Sequence, residues 1–162
     1  MDAHWLEYIR RKFTDTPFFR FLGTTVVDLT VGGAVLSLPV TGDLLNTYGT
    51  CHGGVLAALA DMSMGIALRT LKVRVVTVEL AVNYLQPVFP GTTLAASGRA
   101  VYQGHRLIMA ETEIKCAGDL VAKGKGTFIV TGPDSEEPDR GPGAPGEHDA
   151  EQNSSSTRNP GA

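Results

Sequence analysis

The sequence predicts an α+β fold in which a highly curved antiparallel β-sheet wraps around one long buried helix. The first observation is an apolar segment, residues 52–70, in which Asp61 is the one ionisable side chain between His52 and Arg69. A helix that is apolar on all sides needs covering on most sides. The second observation is a long region, residues 76–130, that alternates with a period of two residues between short turns, which is typical of antiparallel strands.

Composition limits the classes of protein to which the chain can belong. Its 162 residues are enough for one domain with a sizeable core, and the net charge of −3 with no basic face gives no indication of nucleic-acid binding. The uncharged runs are too short to span a bilayer, and the N-terminus lacks the apolar core of a secretory signal. Cys51 and Cys116 form no disulfide framework or metal pattern, so we expect reduced thiols and a cytoplasmic protein.

The N-terminal region, residues 1–22, is predicted to form a helical cap. Residues 2–12 have an apolar stripe with basic residues in the last turn, and Pro17 favours the start of a second short helix. Four of the six phenylalanines of the chain lie here, at Phe13, Phe18, Phe19 and Phe21. They could seal one end of the core or form one wall of an acyl pocket, and we favour the first interpretation.

The strands are predicted from β-rich runs bounded by glycine and proline. Residues 24–30 and 34–40 form a hairpin around Gly32-Gly33, since glycines supply the positive φ of a tight turn. After the helix, strands are predicted at residues 76–84, 92–102, 107–117 and 120–130, and three or four of them form an antiparallel meander. The first of these four is expected to have one apolar face, formed by Val76, Val78, Leu80, Val82 and Tyr84.

The domain is expected to cover residues 1–131, followed by a disordered tail. Residues 132–162 contain no aromatic side chain and no aliphatic one larger than alanine. Such a segment cannot bury enough surface to offset the entropy lost on ordering.

The start of the central helix and Asp61 together suggest a reaction site. Gly53 and Gly54 follow His52 at the helix N-terminus, where backbone N–H groups can bind an anion or stabilise an oxyanion. Asp61 lies on a stripe of small residues and could serve as a general base. It is about 10–13 Å further along the helix axis, so one substrate carbonyl cannot easily touch both groups of the same copy. This separation, with the exposed edges of the sheet, predicts at least a dimer.

Each of these residues also has a purely structural interpretation. Asp61 could be a buried carboxylate that hydrogen-bonds a loop, and His52 could be only a helix cap, the role that we favour for it. Asn46 is common in turns, and Thr77 could simply belong to the sheet surface. Cys51 next to His52 in sequence says little about their geometry in space, so it is not a convincing nucleophile.

The spacing of these residues resembles that of a known family. The pattern N-x-x-G-x-x-H-G-G, followed nine residues after the histidine by an aspartate, is similar to the hotdog-fold thioesterases of the phenylacetate-degradation (PaaI) type. The residues that carry the likeness are Asn46, Gly49, His52, Gly53, Gly54 and Asp61. The segment VTVELAVNYLQPVFPG is similar too, and the likeness covers roughly residues 15–131. It implies a hotdog fold, a homodimer or homotetramer, and no metal or bound cofactor.

The resemblance also implies roles for individual residues. It makes Asp61 the catalytic acid, as general base on water or as nucleophile. It makes the amide of Gly54 or Gly53 the donor that polarises the thioester carbonyl. Asn46 would help to hold the carbonyl or the water, and Thr77 would orient the water.

Supporting and phosphate-binding residues follow from the same resemblance. His52 would support the loop. The phosphates of coenzyme A need cations outside the pocket, and His105 and Arg106 in a strand turn, with Lys123 and Lys125 on the last strand, could supply them. A solvated basic turn explains these four residues equally well.

The function implied is hydrolysis of an acyl-coenzyme A thioester, frequently one with an aryl or phenylacetyl-type acyl group, to the free acid and coenzyme A. Two alternatives stay open. One is a non-catalytic module that binds acyl-CoA for regulation. The other is a hotdog dehydratase acting on acyl-carrier protein, which needs a histidine placed to work with a carboxylate.

Overall fold

The computed structural model describes residues 3–134 of the chain, and these form a curved sheet around one long helix. Two helices at the N-terminus precede the first hairpin, and a short 3₁₀ turn at Gly42–Leu44 precedes the long helix. The elements are α1 (Ala3–Thr14), α2 (Pro17–Leu22), β1 (Thr25–Thr30), β2 (Gly33–Pro39), α3 (Gly53–Arg69), β3 (Val73–Tyr84), β4 (Thr93–Gln103), β5 (Leu107–Cys116) and β6 (Asp119–Pro133). The predicted α+β hotdog fold is confirmed.

Helix α3 is buried because the sheet approaches it closely. Gly98 of β4 lies against it, and a Cβ atom there would come within 2.3 Å of the Ser63 carbonyl oxygen. The Ser63 hydroxyl donates to the Thr112 hydroxyl at 2.9 Å, which satisfies two fully buried polar groups. Within residues 3–134 no helix is both long and apolar enough to cross a membrane.

The six strands form one antiparallel sheet with the order β1-β2-β4-β5-β6-β3. Strands β4, β5 and β6 form the expected meander, but β3 does not begin it. The segment after Tyr84 passes the start of α3, where the Val88 carbonyl accepts the Cys51 N–H. It then reaches the end of β2, where the Gly91 N–H donates to the Val40 carbonyl, before β4 starts. Strand β3 pairs with β6 and lies at the sheet edge.

The expected single apolar face of β3 is wrong. A β-bulge between Thr77 and Glu79 shifts the register against β6. Val76 and Val78 are 56% and 62% exposed, whereas Leu80 packs against the core. Since a bulge inserts one residue into one strand, it reverses the faces of the side chains before it relative to those after it.

The two N-terminal helices, expected only to form a cap on one end of the core, lie at the C-terminal end of α3. The Trp5 indole donates to the carbonyl oxygen of Arg69 at 3.2 Å, and Trp5 and Ile9 are buried. Helix α2 ends at Gly23, whose φ of 69° is the left-handed conformation that glycine favours. The Trp5 indole N–H therefore bonds a carbonyl group at the end of α3 that no N–H of the same helix can reach.

The ordered domain extends past residue 131, where the tail was expected to begin. Gly132 and Pro133 still pair with Arg74 and Val73 of β3. Asp134 is buried, donates its backbone N–H to Lys72 and forms an ion pair with Arg69. Pairing and charge hold these residues although they have no large apolar side chain. Residues 135–162 lie outside the described part of the chain, so a disordered tail there stays a prediction.

Candidate active site

Two cavities lie along α3, one near its start and one further along it. The Gly53 cavity has a volume of about 360 Å³ and is lined by Asn46, Thr50, Cys51, Gly53, Leu56, Tyr84, Leu85, Gln86, Pro87 and Val88. The Asp61 cavity has a volume of about 200 Å³ and is lined by Phe13, Phe19, Asp61, Met62, Gly65, Ile66, Arg69, Val75, Thr77 and Phe128. Of the residues singled out from the sequence, Asn46 and Gly53 line the first cavity, and Asp61 and Thr77 line the second.

Asp61 and Thr77 meet in the Asp61 cavity. The Thr77 hydroxyl donates to Oδ1 of Asp61 at 2.7 Å. Within residues 3–134, Oδ2 of Asp61 accepts no hydrogen bond. The bulge in β3 is the reason for this contact, because it places Thr77 on the same side of the strand as α3. One carboxylate oxygen is thus fixed while the other remains available to a water or a substrate.

The start of α3 has two glycine amides, and only one of them donates a hydrogen bond to a described residue. His52 is the N-cap residue, and its Nδ1 accepts the N–H of Gly54 at 2.8 Å. The N–H of Gly53 makes no hydrogen bond to any described residue, and Gly53 lines its cavity. The amide available for a substrate oxygen in this structure is therefore that of Gly53, and His52 caps the start of the helix.

Tyr84, at the end of β3, lies beside Gly53. Its hydroxyl donates to the Gly53 carbonyl oxygen at 3.1 Å. From the sequence it was expected only on the apolar face of a strand. Its partner lies 31 positions earlier in the chain, so no local pattern could have revealed the contact.

Asn46 organises its own loop. Its Oδ1 accepts the backbone N–H groups of Tyr48 at 2.9 Å and Thr50 at 3.2 Å, and its Nδ2 donates to the Thr50 hydroxyl at 2.9 Å. Gly49 completes the turn with a φ of 76°. These contacts support the structural interpretation of Asn46, although the side chain also lines the Gly53 cavity.

Aromatic residues line the Asp61 cavity. Phe13 and Phe19, with ring centroids 5.7 Å apart, come from the N-terminal cap, and Phe128 comes from β6. A Cβ atom on Gly65 would meet nothing within 4 Å, so this glycine leaves space above α3. The cap therefore both seals the core and forms one wall of a cavity. Arg69 also lines it, although no sequence pattern pointed to Arg69 as a site residue.

The four basic residues expected near coenzyme A are not gathered into one cluster. His105, Arg106, Lys123 and Lys125 are exposed, and none of them lines either cavity. Lys123 pairs with Glu113 at 3.5 Å. The turn containing Arg106 lies beside Val130, about 15 Å along the strand from Lys125 by the rise of a β-strand.

Cys51 lines the Gly53 cavity but is poorly suited to act as a nucleophile. Burial raises the pKa of its thiol above the ordinary value. The thiolate is the reactive form, so the side chain stays largely protonated near neutral pH. Among residues 3–134 no group of three or more His, Cys, Asp and Glu side chains could hold a metal ion.

A curved antiparallel sheet around one long helix is the hotdog fold, and comparisons with known proteins identify the chain as a thioester hydrolase. The thioesterase superfamily model matches residues 48–123. A putative esterase of Saccharolobus solfataricus is 32% identical over 115 residues, which cover 69% of this chain and 81% of that protein.

Two further relatives have solved structures. The acyl-coenzyme A thioesterase PaaI of Escherichia coli is 32% identical over 93 residues, 57% of this chain and 66% of its own. Its structure superposes with a TM-score of 0.77, 26% identity and coverage of 82% and 97%. A Streptococcus mutans protein solved with bound acetyl-CoA gives a TM-score of 0.68, 28% identity and coverage of 69% and 91%. The chain belongs to the thioesterase superfamily and is a PaaI-like hotdog thioesterase.

Proposed function

We propose that the protein hydrolyses acyl-CoA thioesters with compact, aryl-type acyl groups. The observation that carries this proposal is the Asp61 cavity. It is lined by three phenylalanine rings and by the Asp61 carboxylate, of which only Oδ1 accepts a hydrogen bond from a described residue. A dry cavity of about 150 Å³ accepts a benzene molecule. A volume of about 200 Å³ therefore suits one ring with a short linker better than a long alkyl chain. The E. coli relative named as an acyl-CoA thioesterase, whose gene lies in the phenylacetic acid degradation operon, supports the same substrate class.

The chemistry needs a base, an oxyanion donor and a nucleophile. In the general-base form, Asp61 takes a proton from water as the water oxygen bonds to the thioester carbon. The Gly53 N–H stabilises the negative oxygen, and collapse of the adduct breaks the C–S bond, giving the acid and coenzyme A after the sulfur is protonated. In the nucleophilic form, Asp61 itself bonds to the carbon, and the C–S bond breaks to release the coenzyme A thiolate, which is then protonated. Water hydrolyses the resulting anhydride to the free acid and regenerates the Asp61 carboxylate. The Thr77 hydroxyl fixes the carboxylate in both forms.

The complete site is proposed to form between two copies of the chain. Asp61 follows Gly53 by eight residues, about 12 Å along the helix axis, and the two line different cavities. The outer edge of β3 is unpaired within residues 3–134. Antiparallel pairing of two β3 strands about a twofold axis near Leu80 would place Thr77 of one copy opposite Tyr84 of the other. This arrangement joins the Asp61 cavity of one copy to the Gly53 cavity of its partner.

A tetramer is part of the proposal because the outer face of the sheet has an apolar patch. Val76 pairs with Ile129, Ile129 with Leu107, and Met109 with Tyr102, so these five exposed side chains are neighbours across four strands. Contiguous exposed apolar surface of this kind marks an interaction site. Packing of two dimers through this patch would cover it.

Coenzyme A is proposed to bind with its phosphates near the exposed basic residues, His105, Arg106, Lys123 and Lys125. Arg106 and Lys125 are far enough apart that the two together would have to contact an extended ligand rather than one phosphate group. A cytoplasmic location belongs to the proposal as well, and two cysteines that are not joined in a disulfide support it.

The test is turnover of phenylacetyl-CoA, measured by thiol release, after Asp61→Asn. This change keeps the shape of the side chain but removes the base, and we expect at least a hundredfold loss of kcat, consistent with a typical general-base contribution of about 10²–10⁴. The matched control is Thr77→Ser, which keeps the hydroxyl that bonds Asp61. Near-normal turnover by Asp61→Asn with an intact oligomer would contradict the proposed mechanism.

A further inference from the structure

Arg69 is a charged residue in the Asp61 cavity that the proposed reaction does not use. It is the last residue of α3, and its side chain is only 14% exposed. A guanidinium group is rarely buried to this extent unless it is paired or has a function. Its surroundings indicate which atoms remain available.

Two neighbours hold the Arg69 side chain in place. Its Nε donates to Oδ2 of Asp134, whose side chain is 2% exposed. The guanidinium carbon lies 5.5 Å from the centroid of the Phe13 ring, within the range of a cation–π contact. The two terminal nitrogens, Nη1 and Nη2, donate no hydrogen bond to any described residue. Arg69 is therefore a fixed cation with unused donors.

Arg69 and Asp61 both line the cavity but lie at different points along α3. Arg69 follows Asp61 by eight residues, about 12 Å along the helix axis. Gly65 lies midway between them and leaves the space above α3 open. An acyl group whose carbonyl carbon is beside Asp61 would extend over Gly65 toward Arg69.

We propose that Arg69 is a specificity-determining residue that hydrogen-bonds an oxygen atom at the distal end of the acyl group. This inference rests on the proposed function. The guanidinium group has donors and no acceptor, so it selects a hydroxyl, ether or carbonyl oxygen and rejects an ammonium group. A hydrocarbon end leaves a buried charged donor without a partner, which disfavours that substrate.

Asp134 determines the charge of the group selected. Its carboxylate already balances the charge of Arg69, so a neutral oxygen completes the hydrogen bonding without adding an uncompensated charge. A distal carboxylate on the substrate would add a second negative charge beside Asp134. The pair therefore favours a neutral oxygen substituent over an acidic one.

The test compares 4-methoxyphenylacetyl-CoA with 4-ethylphenylacetyl-CoA. The second compound has nearly the same shape, but a CH2 group replaces the oxygen atom of the 4-substituent. We expect wild-type kcat/KM to be at least tenfold higher for the methoxy substrate, as is typical of a hydrogen bond to a charged group. In Arg69→Met with Asp134→Asn, which leaves no unpaired charge, the ratio should fall to within about twofold. The melting temperature and the oligomeric state are measured alongside.

A second variant tests the role of Asp134. Asp134→Asn alone leaves Arg69 uncompensated, so 4-carboxyphenylacetyl-CoA should gain at least tenfold relative to the methoxy substrate. A wild-type ratio near one, a ratio unchanged in the double variant, or no gain for the carboxy substrate in Asp134→Asn overturns the role of the pair, and the proposed thioesterase stands. If wild-type protein hydrolyses short or long alkyl thioesters but no arylacetyl thioester, the proposed substrate class fails and this inference fails with it.

Discussion

Gly53 and Gly54 are adjacent in the sequence, yet their amide groups differ in the partners they have. The Gly54 N–H is bonded to His52, whereas the Gly53 N–H is free within the described residues and borders a cavity. The motif marks both glycines as candidate donors. Which of them is available depends on the side-chain torsions of His52, and these are visible only in the structure.

Proline at position 53 provides a selective test of the amide. Gly53 is the first residue of α3, where proline is well tolerated, and His52 has φ −62° and ψ 135°, which suit a residue before proline. Gly53→Pro should therefore remove the N–H donor with little loss of stability, and we expect kcat to fall about 10²–10³-fold, as for loss of an oxyanion donor. Gly53→Ala is the matched control, because it keeps the N–H and a Cβ there meets Tyr84 at an ordinary 3.4 Å. Equal activities of the two variants in a thiol-release assay would exclude this amide as the donor.

At the scale of the elements, α3 and the strands could be predicted because each has its own periodicity. The bulge in β3 could not, since the alternation of Val76, Val78 and Leu80 continues through it unchanged. Pairing with β6, and not the composition of β3, decides that Thr77 faces Asp61. The buried Arg69–Asp134 pair was missed for a similar reason, because 65 positions separate the two residues.

Gly65 gives a test of the part of α3 that lines the Asp61 cavity. Replacing glycine by alanine within a helix is favourable by about 1 kcal/mol, so Gly65→Ala should raise the melting temperature by a few degrees. Gly65→Leu should instead place a side chain in the open space above the helix. We expect Gly65→Leu to lower kcat/KM for phenylacetyl-CoA at least tenfold more than for acetyl-CoA, which needs little of the cavity. Equal losses for both thioesters would show that the acyl group binds elsewhere.

For the whole molecule, the prediction concerns a site shared between two copies. Asp61→Asn and Gly53→Pro are each expected to be inactive, and both defects fall in one of the two sites of a mixed dimer. The other site is then intact. Refolding the two variants together in equal amounts should restore about a quarter of wild-type activity, since about half of the dimers are mixed and each has one working site of two.

The control for this experiment is each variant refolded alone, at the same total concentration. Recovery of activity should depend on the exchange of subunits. Mixing the two variants after each has been refolded, under conditions in which subunits do not exchange, should therefore restore no activity. If activity fails to return although mass spectrometry detects mixed dimers, both groups act within one chain and the twofold arrangement is wrong.

The sheet order also has a consequence for synthesis. Within residues 3–134, strand β3 pairs only with β6, and β6 is the last of these strands to be synthesised. A nascent chain that ends before residue 119 has Asp61, Thr77 and the whole of α3, but lacks β6, the strand that holds the bulge beside α3. The loop at Asn46 is held by hydrogen bonds between that side chain and Tyr48 and Thr50, all within five residues, so it can form early. One half of the site can therefore mature while translation continues, and the other half must wait until its final strand has been made.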